Sequence, residues 1–293
     1  MRFLFVDRIL HLSPDYVQGI KHVTPDDYFL SKDQQGKAIF TPSLIGETLG
    51  QLAAWSVMFH NDFTLRPVAG VAAKAILHRP AYLGETILLE SYIDSVDAVA
   101  VRYHSVARVG NESIFEIEDA LGPLLSMNEF IDTEVVRQQF SEIYRPLEQA
   151  CSEFTSSAAI DSSDAKISFC NMTFDRILNC EPGVKLYAEK RITRSAAYFP
   201  DHFPNKPVLP MTVLLQCKLN LAYEFLARAQ FAQKYQVQEF RKMKMNEFVQ
   251  PGDILTCELG VKHRSDSELI LNFRSEINNK RVCVLDIVLT AKA

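Results

Sequence analysis

Polar and apolar positions alternate along much of this chain, and two long runs break the alternation. Thr86–Ile93, Val99–Val109, Ile254–Val261 and Glu268–Ile277 alternate between turn residues, the pattern of strands with one buried face. Ser43–His60 and Met211–Gln230 instead follow a proline and carry apolar residues at helical spacing, which predicts two long helices. Between Pro42 and Phe59 the sole charged residue is Glu47. A helix facing water would be studded with Lys, Glu and Arg, so this one is expected to be buried. A long helix followed by antiparallel strands, met twice, predicts the α+β class.

The two occurrences are a repeat. Phe5-Val6-Asp7-Arg8-Ile9-Leu10 answers Thr173-Phe174-Asp175-Arg176-Ile177-Leu178, and Gly84-Glu85-Thr86-Ile87-Leu88 answers Gly252-Asp253-Ile254-Leu255-Thr256. The anchors keep one offset: 182 − 14, 210 − 42 and 252 − 84 each give 168. Order and spacing together mark a tandem duplication, with units expected at 1–146 and 166–293. Leu147–Ala165, rich in serine, alanine and acidic residues, reads as the linker.

Composition narrows the function classes. Hydrophobic residues make up 47%, enough for a sizeable core, and the net charge of −5 argues against a general nucleic-acid binder. All six cysteines lie in the second half without a Cys-x-x-Cys pair, as expected of reduced buried thiols rather than a zinc site or disulfide frame. Neither the charged N-terminus nor the Phe40–Phe59 run suits a signal peptide or membrane span. These features predict a cytoplasmic protein without a metal or other cofactor.

Chemistry concentrates in His202-Phe203-Pro204-Asn205-Lys206-Pro207-Val208-Leu209-Pro210. Each proline fixes its own φ and keeps the preceding residue out of helix, so His202 stands a fixed reach upstream of a helix N-terminus. An imidazole exchanges protons near neutral pH, and helix-end N–H groups attract developing negative charge. The pair suits proton abstraction beside a carbonyl.

This run resembles the signature of the β-hydroxyacyl-ACP dehydratases, His-Phe-Pro-x-x-Pro-Val-x-Pro-Gly. The resemblance covers most of both halves and is stronger in the second. It implies the hotdog fold, an antiparallel sheet wrapped around a long central helix. Two fused copies imply a double hotdog, an internal pseudo-dimer with room for further pairing into a homodimer.

In that family the site spans two hotdogs, with His from one and an acid from the central helix of the other. The acid lies six residues after the last proline, and a glutamine follows four later. In the second half that position is Gln216, followed by Asn220, and an amide cannot serve as the acid. In the first half Glu47 is followed by Gln51, yet no histidine stands near Ser31–Gln34. The expectation is one complete site from His202 and Glu47, and a dead mirror site. Two departures bear on it. Glu47 lies five residues after Pro42, so the strict offset sets Thr48 opposite Gln216, and Met211 stands where the family has glycine.

The resemblance implies elimination of water from a (3R)-3-hydroxyacyl thioester on acyl carrier protein. His202 would take the C2 proton, the Met211 amide and helix end would hold the enolate-like charge, and Glu47 would help the hydroxyl leave. The Val208 carbonyl would orient the imidazole, with Thr212 at the helix start. Lys206, Lys242 and Lys244 are candidates for docking the acidic carrier, although a solvated strand face explains the last two as well. A hotdog thioesterase using Glu47 to activate water, and a non-catalytic acyl-binding protein, are the alternatives.

Overall fold

The computed structural model of the protein describes residues 2–146, 170–231 and 235–291, so the proposed linker at 147–165 lies outside the described residues. The first half runs β1 (Arg8–Leu12), β2 (Tyr16–His22), a small hairpin of β3 (Leu30–Lys32) and β4 (Ala38–Phe40), then α1 (Pro42–His60). It continues through β5 (Leu65–Pro67), β6 (Val71–Leu77), β7 (Thr86–Val96), β8 (Ala100–Val109), β9 (Glu112–Ser126) and α2 (Thr133–Ile143). The second half repeats the plan with fewer additions: β10 (Arg176–Glu181), β11 (Lys185–Arg191), α3 (Met211–Arg228), β12 (Tyr235–Met245), β13 (Ile254–Arg264), β14 (Glu268–Ile277) and β15 (Lys280–Ala291).

The strand order, β1-β2-β7-β8-β9-β6-β12-β15-β14-β13-β11-β10, reads as the same hotdog plan from either end. The sheets of the two halves join edge to edge into one continuous 13-stranded sheet. The equivalent edge strands β6 and β12 pair antiparallel, with Ile76 opposite Glu239, Lys74 opposite Arg241 and Val71 opposite Lys244. An unpaired edge leaves a row of unsatisfied N–H and C=O groups, and this junction satisfies both edges together. The fold is a double hotdog.

Alternation in the strands does what period two requires. In β7, Ile87, Leu89, Ser91 and Ile93 face inward and pack on α1. Pro42 opens α1, where its missing N–H has no helical partner to lose. The helix then buries Leu44, Ile45, Leu49, Leu52 and Trp55, and touches α3 across the middle of the molecule. Its far end is covered by α2, a helix that the alternation did not predict. Asp132 caps α2 by accepting from the N–H groups of Glu134 and Val135 at 2.9 and 3.4 Å. Phe140 of α2 then stacks on Phe59 at 5.1 Å. No helix of the described residues is long and apolar enough to cross a membrane, and the described cysteines are free thiols.

Candidate active site

A cavity of about 150 Å³ lies between the halves. One wall is the face of α1 carrying Gly46, Glu47 and Gly50, and another is His202 with Met211, Thr212 and Leu215 of the second half. Side-chain volume explains the space. A Cβ on Gly46 would meet Phe115 Cε1 at 3.4 Å, and one on Gly50 would meet the Tyr103 hydroxyl at 3.6 Å. Larger side chains there would project into the gap between α1 and the sheet.

His202 is fixed from its backbone outward. Its N–H donates to the Tyr198 carbonyl at 2.9 Å, and its own carbonyl accepts from Val208 N–H at 3.1 Å. Nδ1 lies 2.9 Å from the Val208 carbonyl. A carbonyl only accepts, so Nδ1 carries the proton and Nε2 keeps its lone pair. Phe203 stacks on the imidazole at 4.1 Å, and Phe3 meets it edge-on at 5.9 Å. Burial holds the imidazole below its ordinary pKa; the Arg66 charge pushes the same way, and Glu47 and the Val208 carbonyl oppose them. The result is a neutral ring with a free nitrogen, the form a base requires.

Glu47 accepts from Thr212 Oγ1 at 2.6 Å and from Gln51 Nε2 at 3.1 Å. Gln51 is itself tied to the N-terminal segment: its Oε1 accepts from Phe5 N–H at 2.9 Å, and its Nε2 reaches the Phe3 carbonyl at 3.1 Å. Phe3 N–H donates to Asp201 at 2.6 Å, and Asp201 also pairs with Arg2 at 3.0 Å. The segment Arg2–Phe5 therefore links the neighbour of His202 to the partner of Glu47.

The register question resolves at the helix starts. Thr41 caps α1 and Pro210 caps α3, so within the helices the offset is 169: 210 − 41, and 216 − 47. The single-residue slip precedes the helix. Glu47 is the residue that lines the cavity, whereas Thr48 is fully buried with its hydroxyl on the Leu44 carbonyl at 2.6 Å.

The mirror position keeps a similar set of contacts with different chemistry. Gln216 Oε1 accepts from the backbone N–H of Ser43 at 3.3 Å, where Glu47 accepts from the Thr212 hydroxyl, and Gln216 Nε2 donates to Asn220 at 3.2 Å. Asn220 then clips the Met172 carbonyl at 2.8 Å, as Gln51 clips Phe3.

The lysines differ from one another. Lys206 pairs with Glu129 at 2.8 Å and lies over the Phe130 and Phe248 rings. Lys242 and Lys244 are exposed on β12, whereas Met243 and Met245 of the same strand line the cavity. Arg66, Tyr103 and Asp201 also line the cavity and were not singled out from sequence. The signal for the cavity itself was present: Gly46 and Gly50 are four apart, hence on one helical face.

The model of the ApeI-like dehydratases matches residues 180–285, the unit that carries the histidine. The second half is thus similar to a dehydratase family. The 3-hydroxyacyl-acyl-carrier-protein dehydratase FabZ of Shewanella woodyi is 26% identical over 121 residues, spanning 40% of this chain and 80% of that protein. Solved hotdog structures match nearly end to end. The dehydratase domain of PpsC from Mycobacterium tuberculosis, in complex with C12:1-CoA, has a TM-score of 0.55 at 9% identity, covering 98% of each chain. An acyl-ACP thioesterase from Bacteroides thetaiotaomicron has a TM-score of 0.53 at 12% identity, covering 94% of this chain and 97% of that one. At such identities the likeness is one of fold, which hotdog dehydratases and thioesterases share.

Proposed function

We propose that this double hotdog is a dehydratase, which eliminates water from a (3R)-3-hydroxyacyl thioester carried on acyl carrier protein, at one site between its halves. The observation that carries the reading is a single cavity lined by His202 from one half and Glu47 from the other. Neutral His202 takes the C2 proton through Nε2, and Val208 holds the ring for that transfer. The start of α3, with Met211 and Thr212, faces the cavity, where N–H groups and the helix dipole offset the charge developing on the thioester oxygen. Glu47, directly or through a water, gives a proton to the leaving hydroxyl. The amide at Gln216 cannot do so, and the mirror site is silent. Gln216 instead ties α3 to α1.

One observation favours a second reading. A carboxylate held by two donors, Thr212 and Gln51, is also suited to activating water for thioester hydrolysis. Mass spectrometry of 3-hydroxyacyl carrier protein incubated with wild type, His202→Ala and Glu47→Gln separates the two. Loss of water by the wild type alone supports the dehydratase. Free acid still released by His202→Ala supports the thioesterase and sinks the elimination mechanism.

The surface role of the lysines follows the same reading. Lys242 and Lys244 stand on the outer face of the strand whose inner face lines the cavity, and Lys206 stands in the histidine loop. An acidic carrier docking there would deliver its thioester close to the site.

A further inference from the structure

Among the described residues, Arg66 is the one Lys or Arg side chain on the cavity wall, and the mechanism above gives it no task. It sits in β5, the short strand paired to the end of β9. Its guanidinium lies over the Phe203 ring at 4.2 Å, next to His202, and its Nη1 is 3.9 Å from Met58 Sδ. Its Nε has no hydrogen-bond acceptor, and among the described residues no carboxylate pairs with Arg66. A shielded donor left without an acceptor keeps the full cost of its lost hydration, the more so when the group is charged. Burial pushes the guanidinium down to about 10, which leaves it a cation at neutral pH. Both Glu47 and His202 feel that charge, so it sits close to where reaction would occur.

We propose that Arg66 is a substrate-binding residue whose guanidinium donates to an oxygen at the reacting end of the acyl thioester, the carbonyl or the 3-hydroxyl. This deepens the dehydratase reading. A thioester placed to react between His202 and Glu47 has both oxygens in the cavity that Arg66 also lines, and among the described residues this guanidinium has no hydrogen bond to an oxygen. The competing role is packing alone, a cation held over an aromatic face.

The test is a binding measurement that needs no turnover. The probes are a 3-hydroxyacyl pantetheine amide, which keeps both oxygens and cannot be hydrolysed as a thioester, and an alkyl pantetheine thioether of equal length with neither oxygen. Wild type is expected to bind the amide at least about tenfold tighter than the thioether. Arg66→Met should erase that preference while keeping thioether affinity, and Arg66→Lys should keep part of it. Equal weakening of both probes in Arg66→Met assigns the residue to packing and overturns the proposal. An undiminished preference in Arg66→Met overturns it too. Should Arg66→Met not fold, Arg66→Lys and the preference of the wild type decide: no preference in the wild type ends the proposal. Failure of the wild type to dehydrate any thioester would count against the proposed function and leave this binding result to stand separately.

Discussion

The two central helices hold equivalent places in the two halves and differ in what they leave room for. α1 presents Gly46 and Gly50 where α3, at the helix offset of 169, presents Leu215 and Leu219. The glycines leave a cavity beside α1, while Leu215 and Leu219 are buried at 4% and 1% exposure. Glu47 opposes Gln216 in the same way: the Thr212 hydroxyl donates to Glu47 at 2.6 Å, whereas the equivalent Ser43 gives Gln216 only its backbone N–H, at 3.3 Å. One helix therefore frames a space and holds an acid in it. The other fills its space and keeps only a structural amide. The lesson is that backbone symmetry survives here through the clips between each helix and the segment that precedes the first strand of its half, while volume and charge at three helix positions decide which side has room for a ligand.

Changing those positions should break the comparison in a graded way. The largest effect is expected from the reacting groups: His202→Ala or Glu47→Gln should lower kcat/KM by about 10²–10⁴-fold, read by dehydration of a 3-hydroxyacyl carrier protein. Gly50→Leu, which gives α1 the side chain of α3, should abolish turnover of long acyl chains before short ones. Its stability cost, read by thermal melting, should be about 1–3 kcal/mol from overpacking against Tyr103. Equal loss at every chain length would detach the glycines from the acyl path.

The pH profile sharpens the comparison from the histidine side. The folded pKa of His202 is depressed, so protonating it is harder in the native protein than in the unfolded chain. The acid limb of kcat/KM should therefore lie below the ordinary imidazole value of about 6.5. By the same sign, the unfolded chain binds the extra proton first, so this residue's contribution to stability is full above that value and is lost as pH falls. An acid limb above it would mean that another group titrates.

Smaller effects test the quieter half and its fastenings. Asp201→Asn should cost about 1 kcal/mol in melting by weakening the tie to Arg2 and Phe3, and should lower kcat modestly as the N-terminal segment loosens. Gln216→Glu should leave kcat unchanged, because the equivalent loop, Ser31–Gln34, carries no histidine. A gain in activity would show that the mirror side retains a working base.

Much of this was legible in the chain, for physical reasons that differ by residue. Pro42 and Pro210 announce the helices because proline restricts its own φ and its neighbour's. The alternating strands show because one face is buried. His202 and Glu47 stand out because a charge in an apolar run and a histidine framed by prolines are both costly to place without cause. The junction of β6 and β12 was not legible, since pairing between edges far apart in the chain leaves no local pattern. Arg66 was hidden for a similar reason: nothing in Leu65-Arg66-Pro67 marks it out until the fold sets it over Phe203. The equation of Pro42 with Pro210 was off by one, because α1 admits proline as its first residue whereas α3 uses it as the cap.

The β6–β12 junction joins two parts of one polypeptide. In a site shared between separate subunits, dilution separates the partners and activity per molecule falls. Here the second half meets the first at an effective concentration that dilution does not change. Specific activity should hold constant down to the lowest enzyme concentration that can be assayed, with one acyl ligand bound per chain. A single gene can also alter one lobe without altering the other, a freedom that no pair of identical subunits has.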